Sequence, residues 1–264
     1  MIDLLYAQRI FDQYLDQFCR EDEKIKLKIV HTQGVIRCAG EISARMGLGA
    51  GERELAGLIA LLHDIGRFEQ LKRFDSFEPS VMDHAAYGVE LLFGERKMIR
   101  DFIKEDTWDH IICEAIARHS SYDIGDGLSP RALFHARMIR DADKLDNCRV
   151  KLEDKIEVLL GCSPEVAGSQ AISPEIWQEC LDRKSIHSEK RRTKMDYWVS
   201  YIAYFFDINF PETAKIILDE QYVQKITERI PYGCKDTAQK MEMLCHMAIG
   251  WLEKLAMTKR DDIQ

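Results

Sequence analysis

The chain has 264 residues, 46% of them hydrophobic, and its 37 basic against 45 acidic residues give a net charge of -8. That length buries a substantial core as one domain or one domain plus an appendage, and the acidic balance argues against polymeric nucleic acid, which needs a clustered positive surface. No run approaches the roughly 18–20 apolar residues that cross a bilayer, and the eight cysteines, at 19, 38, 113, 148, 162, 180, 234 and 245, include no Cys-x-x-Cys pair, the pattern of reduced thiols in a cytoplasmic protein.

At the N-terminus, Asp3, Gln8, Arg9, Asp12 and Gln13 interrupt any signal-like apolar core. Ile10, Tyr14 and Phe18 instead predict an amphipathic packing helix. The segment 24–46 predicts a helix whose inner stripe is His31, Val35, Ala39, Ile42 and Met46. His31 therefore points where the apolar residues point. Next, Leu55, Leu58, Ile59 and Leu62 recur at helical spacing in an uninterrupted apolar run that ends at His63-Asp64 and is followed by Ile65-Gly66-Arg67. Gly66 reads as the helix terminator, because glycine tolerates positive φ. An imidazole and a carboxylate are thus carried side by side into an apolar interior, where they are unfavourable unless paired or bound to a cation.

Phe68, Phe74, Phe77 and Pro79, set among charges in the stretch 68–82, read as a long loop passing near the site, with its aromatics anchoring the loop or covering an apolar substrate group. Asp83 is the expected N-cap of a short helix in which His84, Gly88 and Leu91 share a face, the missing side chain of Gly88 letting a neighbouring backbone approach. Trp108, Ile112, Ala115, Ile116 and His119 form another apolar face that ends in an imidazole. The loop 122–128, with Gly125-Asp126-Gly127, then forms a rim or a turn. Ser129-Pro130 predicts an N-cap and first helical residue, opening a helix on which Ala136, Ile139 and Asp143 share a face. Asp141 and Asp146 are expected to be solvated, with support of a neighbouring ligand as the alternative, and His110, His135, His187 and His246 to be structural or surface residues.

Each inward histidine alone is ordinarily a hydrogen-bonded core residue. Four histidines and two aspartates at apolar-face positions or helix ends of successive helices are hard to satisfy separately in one core, and a shared metal site is the better account.

The order His31, then His63-Asp64, then Asp143 resembles the HD superfamily of metal-dependent phosphohydrolases, and the segments around His84 and His119 resemble the two further histidine segments of its binuclear branch. The resemblance covers residues 25 to 150. It implies one metal held by His31, His63, Asp64 and Asp143, and a second by His84 and His119, with Asp64 bridging. Such imidazole and carboxylate ligands suit Fe, Mn, Co, Ni or Zn, with Mg admitted; one or two ions are expected. The reaction implied is hydrolysis of a nucleotide or other small phosphoester by a metal-bound hydroxide, with Asp64 and Arg67 catalytic and Arg67 and Lys144 as phosphate contacts. The Gly-Tyr-Pro signature of cyclic-di-GMP phosphodiesterases and the acidic pair of guanosine-tetraphosphate hydrolases are not visible, so those substrates fall in rank. Two other functions are carried alongside: an HD-type di-iron oxygenase and a non-catalytic nucleotide-sensing module.

The Gly-, Ser- and Pro-rich stretch 161–174 reads as the boundary between a catalytic core with its N-terminal helix, 1–160, and a C-terminal helical region, 161–264, packed on that core. In the latter, Met195, Trp198, Tyr201, Ile202 and Phe205 form one stripe, Pro211 opens another segment, and Met241, Leu244, Ala248 and Leu252 belong to a last amphipathic helix. Lys190, Arg191, Arg192 and Lys194 read as a solvated helix end. The expected fold is all-α, an HD-domain helical bundle with additional C-terminal helices. The expected partner is a small phosphorylated substrate, neither polymeric nucleic acid nor membrane, with homo-oligomerisation left open.

Overall fold

A computed structural model describes residues 2–258, and among them the chain forms helices and no strand. No helix of the described residues is long and apolar enough to cross a membrane. The chain divides into two units, Met1–Asp146 and Asn147–Gln264. The first contains α1 (Leu4–Leu15), α2 (Glu23–Arg45), α3 (Ala50–Leu62), α4 (Ile65–Phe74), α5 (His84–Phe93), α6 (Ile99–Phe102), α7 (Asp109–Arg118) and most of α8 (Pro130–Glu153), which continues past the division. The expected division near residue 160 therefore lies instead within a continuous helix.

The buried scaffold of the first unit is α3. Every residue from Leu55 to Leu62 is buried, and each large apolar side chain fully removed from water contributes about 1.5–3 kcal/mol of gross stabilisation. Around it pack α1, α2 and α7, while α5 packs on α4 and α7. The helix starts follow local chemistry. Asp22 accepts from the backbone N–H groups of Lys24 and Ile25 at the head of α2, and Asp83 does the same for Ala85 and Ala86 at the head of α5. Ser129 Oγ accepts from Ala132 N at the start of α8, with Pro130 in the first position.

Three expectations change. The inner face of α1 is Ala7, Phe11 and Leu15, continued by the buried Phe18, with Ile10 and Tyr14 half-buried at its edge; Tyr14 instead uses its hydroxyl to donate to Ile65 O at 3.1 Å. The stretch 68–82 is only half a loop, because α4 runs to Phe74 and stops at Asp75 in the left-handed region. Phe68 lies fully buried against Phe11, Tyr14 and Phe18, whereas Phe74 and Phe77 are exposed. Gly66, finally, is inside α4 and has no positive φ. A Cβ there would stand 2.2 Å from His84 O and 2.7 Å from Gly88 N, so this glycine is required by the close approach of α5.

In the second unit follow α9 (Ile156–Leu160), α10 (Pro164–Gly168), α11 (Pro174–Leu181), α12 (Lys194–Ala203), α13 (Pro211–Asp219), α14 (Tyr222–Thr227) and α15 (Lys235–Met257). Ser163-Pro164 and Ser173-Pro174, read as linker punctuation, are the N-cap and first residue of α10 and α11. Trp198, Ile202, Ile217, Met241, Leu244, Ala248 and Leu252 form the unit's core, as their helical spacing predicts. The basic run leads from a 3-10 turn ending at Lys190 into the start of α12, where Arg192 and Lys194 are exposed as expected of a solvated helix end, while Lys190 pairs with Glu179 and the Arg191 guanidinium lies over the Tyr197 ring.

Candidate metal centre

Between α3 and α4 the chain makes a two-residue break. His63 closes α3, and Asp64 takes φ -106° and ψ 18° before α4 begins, the sparsely populated region between helix and strand in which many active-site residues sit. Both are buried, His63 completely. Onto this corner the inner stripe of α2 brings His31, the head of α5 brings His84, the C-cap of α7 brings His119, and the middle of α8 brings Asp143.

All four rings present Nε2 to the carboxylates. His31 Nε2 lies 2.9 Å from Asp143 Oδ1, and His63 Nε2 lies 3.5 Å from Asp64 Oδ2 and 3.9 Å from Asp143 Oδ1. On the other side of Asp64, Oδ1 is 3.1 Å from His84 Nε2 and 3.5 Å from His119 Nε2. The donor atoms therefore fall into two sets, His31 with His63 and Asp64, and Asp64 with His84 and His119, each within 4.8 Å of one another. Asp64 belongs to both.

The opposite ring nitrogens fix which atoms carry lone pairs. A carbonyl can only accept, so the contacts of His63 Nδ1 with Ala60 O at 2.8 Å and of His119 Nδ1 with Ile116 O at 2.7 Å place the proton on Nδ1. Neutral rings then offer Nε2 as a ligand. A guanidinium can only donate, so Arg67 Nη2, 3.0 Å from His84 Nε2, makes that nitrogen an acceptor as well. Two lone pairs consequently face each other, because His84 Nε2 and His119 Nε2 are 3.1 Å apart with Asp64 Oδ1 beside them. In the same cluster His63 Nε2 and Asp64 Oδ1 are buried without a hydrogen-bond partner. Such atoms repel or stay unsatisfied unless a cation is shared among them. The donor set and its spacing fit a divalent metal, since two ligands each about 2.1 Å from one ion stand about 3–4 Å apart.

Electrostatics keep these side chains in the forms that would bind a metal. Burial pushes His63 down to about 3 and His84 to about 4, against the attraction of the neighbouring aspartates. At neutral pH both rings are uncharged, so coordination displaces no proton from them. Burial alone would raise the Asp64 carboxyl, but the Lys28 ammonium foremost, with the surrounding imidazoles, outweighs it and holds the group well below the usual carboxylate range. Asp143 is held low in the same way, burial being outweighed by His31 and His63.

Arg67 lies in the first turn of α4. Its Nη1 donates to Gln70 Oε1 and to Phe77 O, and Nε is 3.8 Å from Asp64 Oδ1. Lys144 is half-buried on α8, next to Asp143.

Gly34, Arg140 and Lys28 carry no mark in the sequence, and Asp146 takes the less expected of its two roles. Asp146, expected to be solvated, is 2% exposed and sits 2.8 Å from His31 Nδ1, fixing that ring as the carbonyls fix the others; Asp141 is also buried. Gly34 makes room for Asp146, since a Cβ there would lie 1.8 Å from its Oδ1. Arg140, 2% exposed, donates to the carbonyls of Arg118 and Ser121 at 2.9 and 2.6 Å and so holds the backbone on both sides of His119. Lys28 forms an ion pair with Asp64 Oδ2. Each stands three residues from a proposed ligand on the same helix face, Lys28 and Gly34 beside His31, Arg140 and Asp146 beside Asp143. Replacing Asp146 with Ala should lower Mn affinity about 10–100-fold, as the loss of a ligand-orienting carboxylate does elsewhere, and calorimetric titration with Mn measures it; unchanged affinity would show that His31 needs no such support.

The other histidines lie outside the cluster. His135 is buried on Glu52 at 2.8 Å, His187 pairs with Glu179 at 2.7 Å, and His110 and His246 are exposed.

A family model described as HD domain matches residues 29–148. No curated protein and no solved structure matches the chain.

Proposed function

Residues 29–148 form an HD domain, a fold of metal-dependent phosphohydrolases, and from that premise we propose that the chain hydrolyses a small phosphoester at a two-ion centre, a nucleotide being the foremost substrate class. The observation that carries the reading is the division of Asp64 between two histidine sets, with the lone pairs of His84 and His119 facing each other at 3.1 Å. His31, His63, Asp64 and Asp143 would hold one ion, and His84 and His119 a second, with Asp64 shared. Divalent ions in these positions would supply an acidified water and Lewis-acid stabilisation of the phosphoryl group. The nitrogen and oxygen donors suit Fe, Mn, Co, Ni or Zn, and Mg is admitted.

The chain's own part is positioning. His63 and His119 are held by backbone carbonyls, His31 by Asp146, and the whole corner by the rigid α3 core, so the ligands need no rearrangement at the moment of reaction. Arg67 is pinned through Nη1 to Gln70 and Phe77 O, which leaves its Nη2 edge aimed at the ligands, where it can donate to a phosphoryl oxygen. Lys144 is the second phosphate contact in this reading. The exposed Phe77 ring, 6.0 Å from the Arg67 guanidinium carbon, offers an apolar surface for the ester group of a substrate whose phosphate is held by Arg67. That combination favours a nucleoside over a purely polar leaving group.

The test is metal analysis of protein purified without chelator, followed by phosphatase and phosphodiesterase panels under argon with Mn, Co, Ni, Fe and Mg. Phosphate or nucleoside release supports the assignment. Oxygen consumption without phosphate release would replace it with an oxygenase, and tight nucleotide binding with no product after long incubation with a sensing module.

A further inference from the structure

A mostly buried ammonium group pairs with the carboxylate that the two ions would share. Lys28 stands one turn before His31 on the inward stripe of α2; its side chain is 12% exposed, and its Nζ pairs with Asp64 Oδ2. Asp64 Oδ2 is also the oxygen 3.5 Å from His63 Nε2. An ion ligated by His63 and this oxygen would draw on the same lone pairs and repel an ammonium at contact range. Lys28 and that ion therefore compete for one site.

The two cations beside Asp64 are tethered differently. Arg67 is held in place by Gln70 and by the Phe77 carbonyl, so loss of its contact with His84 leaves it where it is. Lys28 has a four-carbon stem, and its ammonium pairs with Asp64. Its own backbone is fixed in α2, where its carbonyl accepts from Thr32 Oγ1 at 2.9 Å. Displaced from Asp64, the ammonium stays within a side-chain length of the centre and requires another anion, since a buried charge without one is strongly unfavourable. The anion that arrives at a phosphohydrolase centre is a phosphoryl group.

We propose that Lys28 neutralises Asp64 while the centre is free of metal and, once ions are bound, turns its charge onto a phosphoryl oxygen of the substrate. Lys28 is thus a substrate-binding residue of the loaded protein and a stand-in cation of the metal-free one. This rests on the two-ion reading above.

The wild-type protein carries the primary test. Amine acylation at fixed pH, read by mass spectrometry at the peptide containing Lys28 with exposed lysines as internal standards, is compared in three states: chelator-treated, Mn-loaded, and Mn-loaded with inorganic phosphate. Mn uptake is measured on the same samples. Labelling of Lys28 should be low without metal, rise several-fold with Mn, and fall again when phosphate is added. Mn uptake with unchanged Lys28 labelling overturns this proposal and leaves the metal centre standing, whereas absence of Mn uptake removes both. In a second arm, Lys28→Met should bind Mn more tightly than wild type, because the competing cation is gone. Its Mn-loaded form should bind inorganic phosphate roughly tenfold more weakly, the value of one charge-assisted hydrogen bond. A purely structural ion pair would leave phosphate affinity unchanged, which also overturns the proposal. Should Lys28→Met fail to fold, the labelling result on wild-type protein decides alone.

Discussion

Asp64→Ala and His63→Ala are expected to keep their far-UV circular dichroism, hold less divalent metal per chain, and hydrolyse no phosphoester above background. Both residues sit at a break between helices, and the one bond lost to a helix, from His63 Nδ1 to Ala60 O in the last turn of α3, lies outside the backbone ladder that holds α3 and α4. What holds these helices is apolar burial along Leu55–Leu62 and of Phe68, which the substitutions do not touch. Asp64 is the more informative of the two, because one carboxylate serves both ligand sets. Removing it deprives both proposed ions of a ligand, whereas losing His63 weakens one. Elemental analysis after desalting should show metal content near zero for Asp64→Ala and an intermediate content for His63→Ala. His110→Ala, a change of the same residue type at an exposed position, should leave both metal content and turnover at wild-type levels. Activity near wild type in Asp64→Ala would end the assignment.

Gly66→Ala, the addition of one methyl group, should disturb the protein nearly as much. The atoms in its way, His84 O and Gly88 N at 2.2 and 2.7 Å, belong to the backbone of α5. No rotamer change relieves them, so α4 and α5 must separate. We expect a loss of about 3 kcal/mol, the upper end for overpacking, which lowers the melting temperature by about 6–12 °C for a chain of this size. The same displacement moves His84 from Asp64 and should empty the second ligand set first, visible as reduced metal content at temperatures where the variant is still folded. Gly88→Ala is the control. Its Cβ would meet Gly66 N and an Ile65 methyl at 3.4 Å, ordinary to tight contact, at a cost of about 1 kcal/mol. Equal stability of Gly66→Ala and wild type would mean that the helices are not held at this distance.

Much of the centre could be read in one dimension because a helix converts spacing into direction. His31 shares its stripe with Val35, Ala39 and Ile42, and all of these are buried; Ile112, Ala115 and Ile116 are buried and lead to His119. The uninterrupted apolar run before His63-Asp64 is a wholly buried helix with the pair at its end. The misreadings arose where one residue type serves two purposes. Glycine answers both a positive φ and a close backbone approach, and Gly66, whose place after an apolar run suggests the first need, has the second. Ser-Pro marks a turn or opens a helix, and at 163 and 173 it opens helices. A polar residue on a helix is solvated by default, and Asp146 becomes a buried partner only because α8 passes α2 at Gly34.

The amino-acid order by itself determined the all-helical class, the inward direction of the four histidines and the placing of His63-Asp64 at a buried helix end, since each depends on local periodicity and side-chain chemistry. Tertiary structure alone decided that Asp64 stands between two histidine sets, that Lys28 sits on its outer oxygen and that Asp146 orients His31. These pairings join residues far apart in the chain, and only the packing distance between helices sets whether their atoms meet.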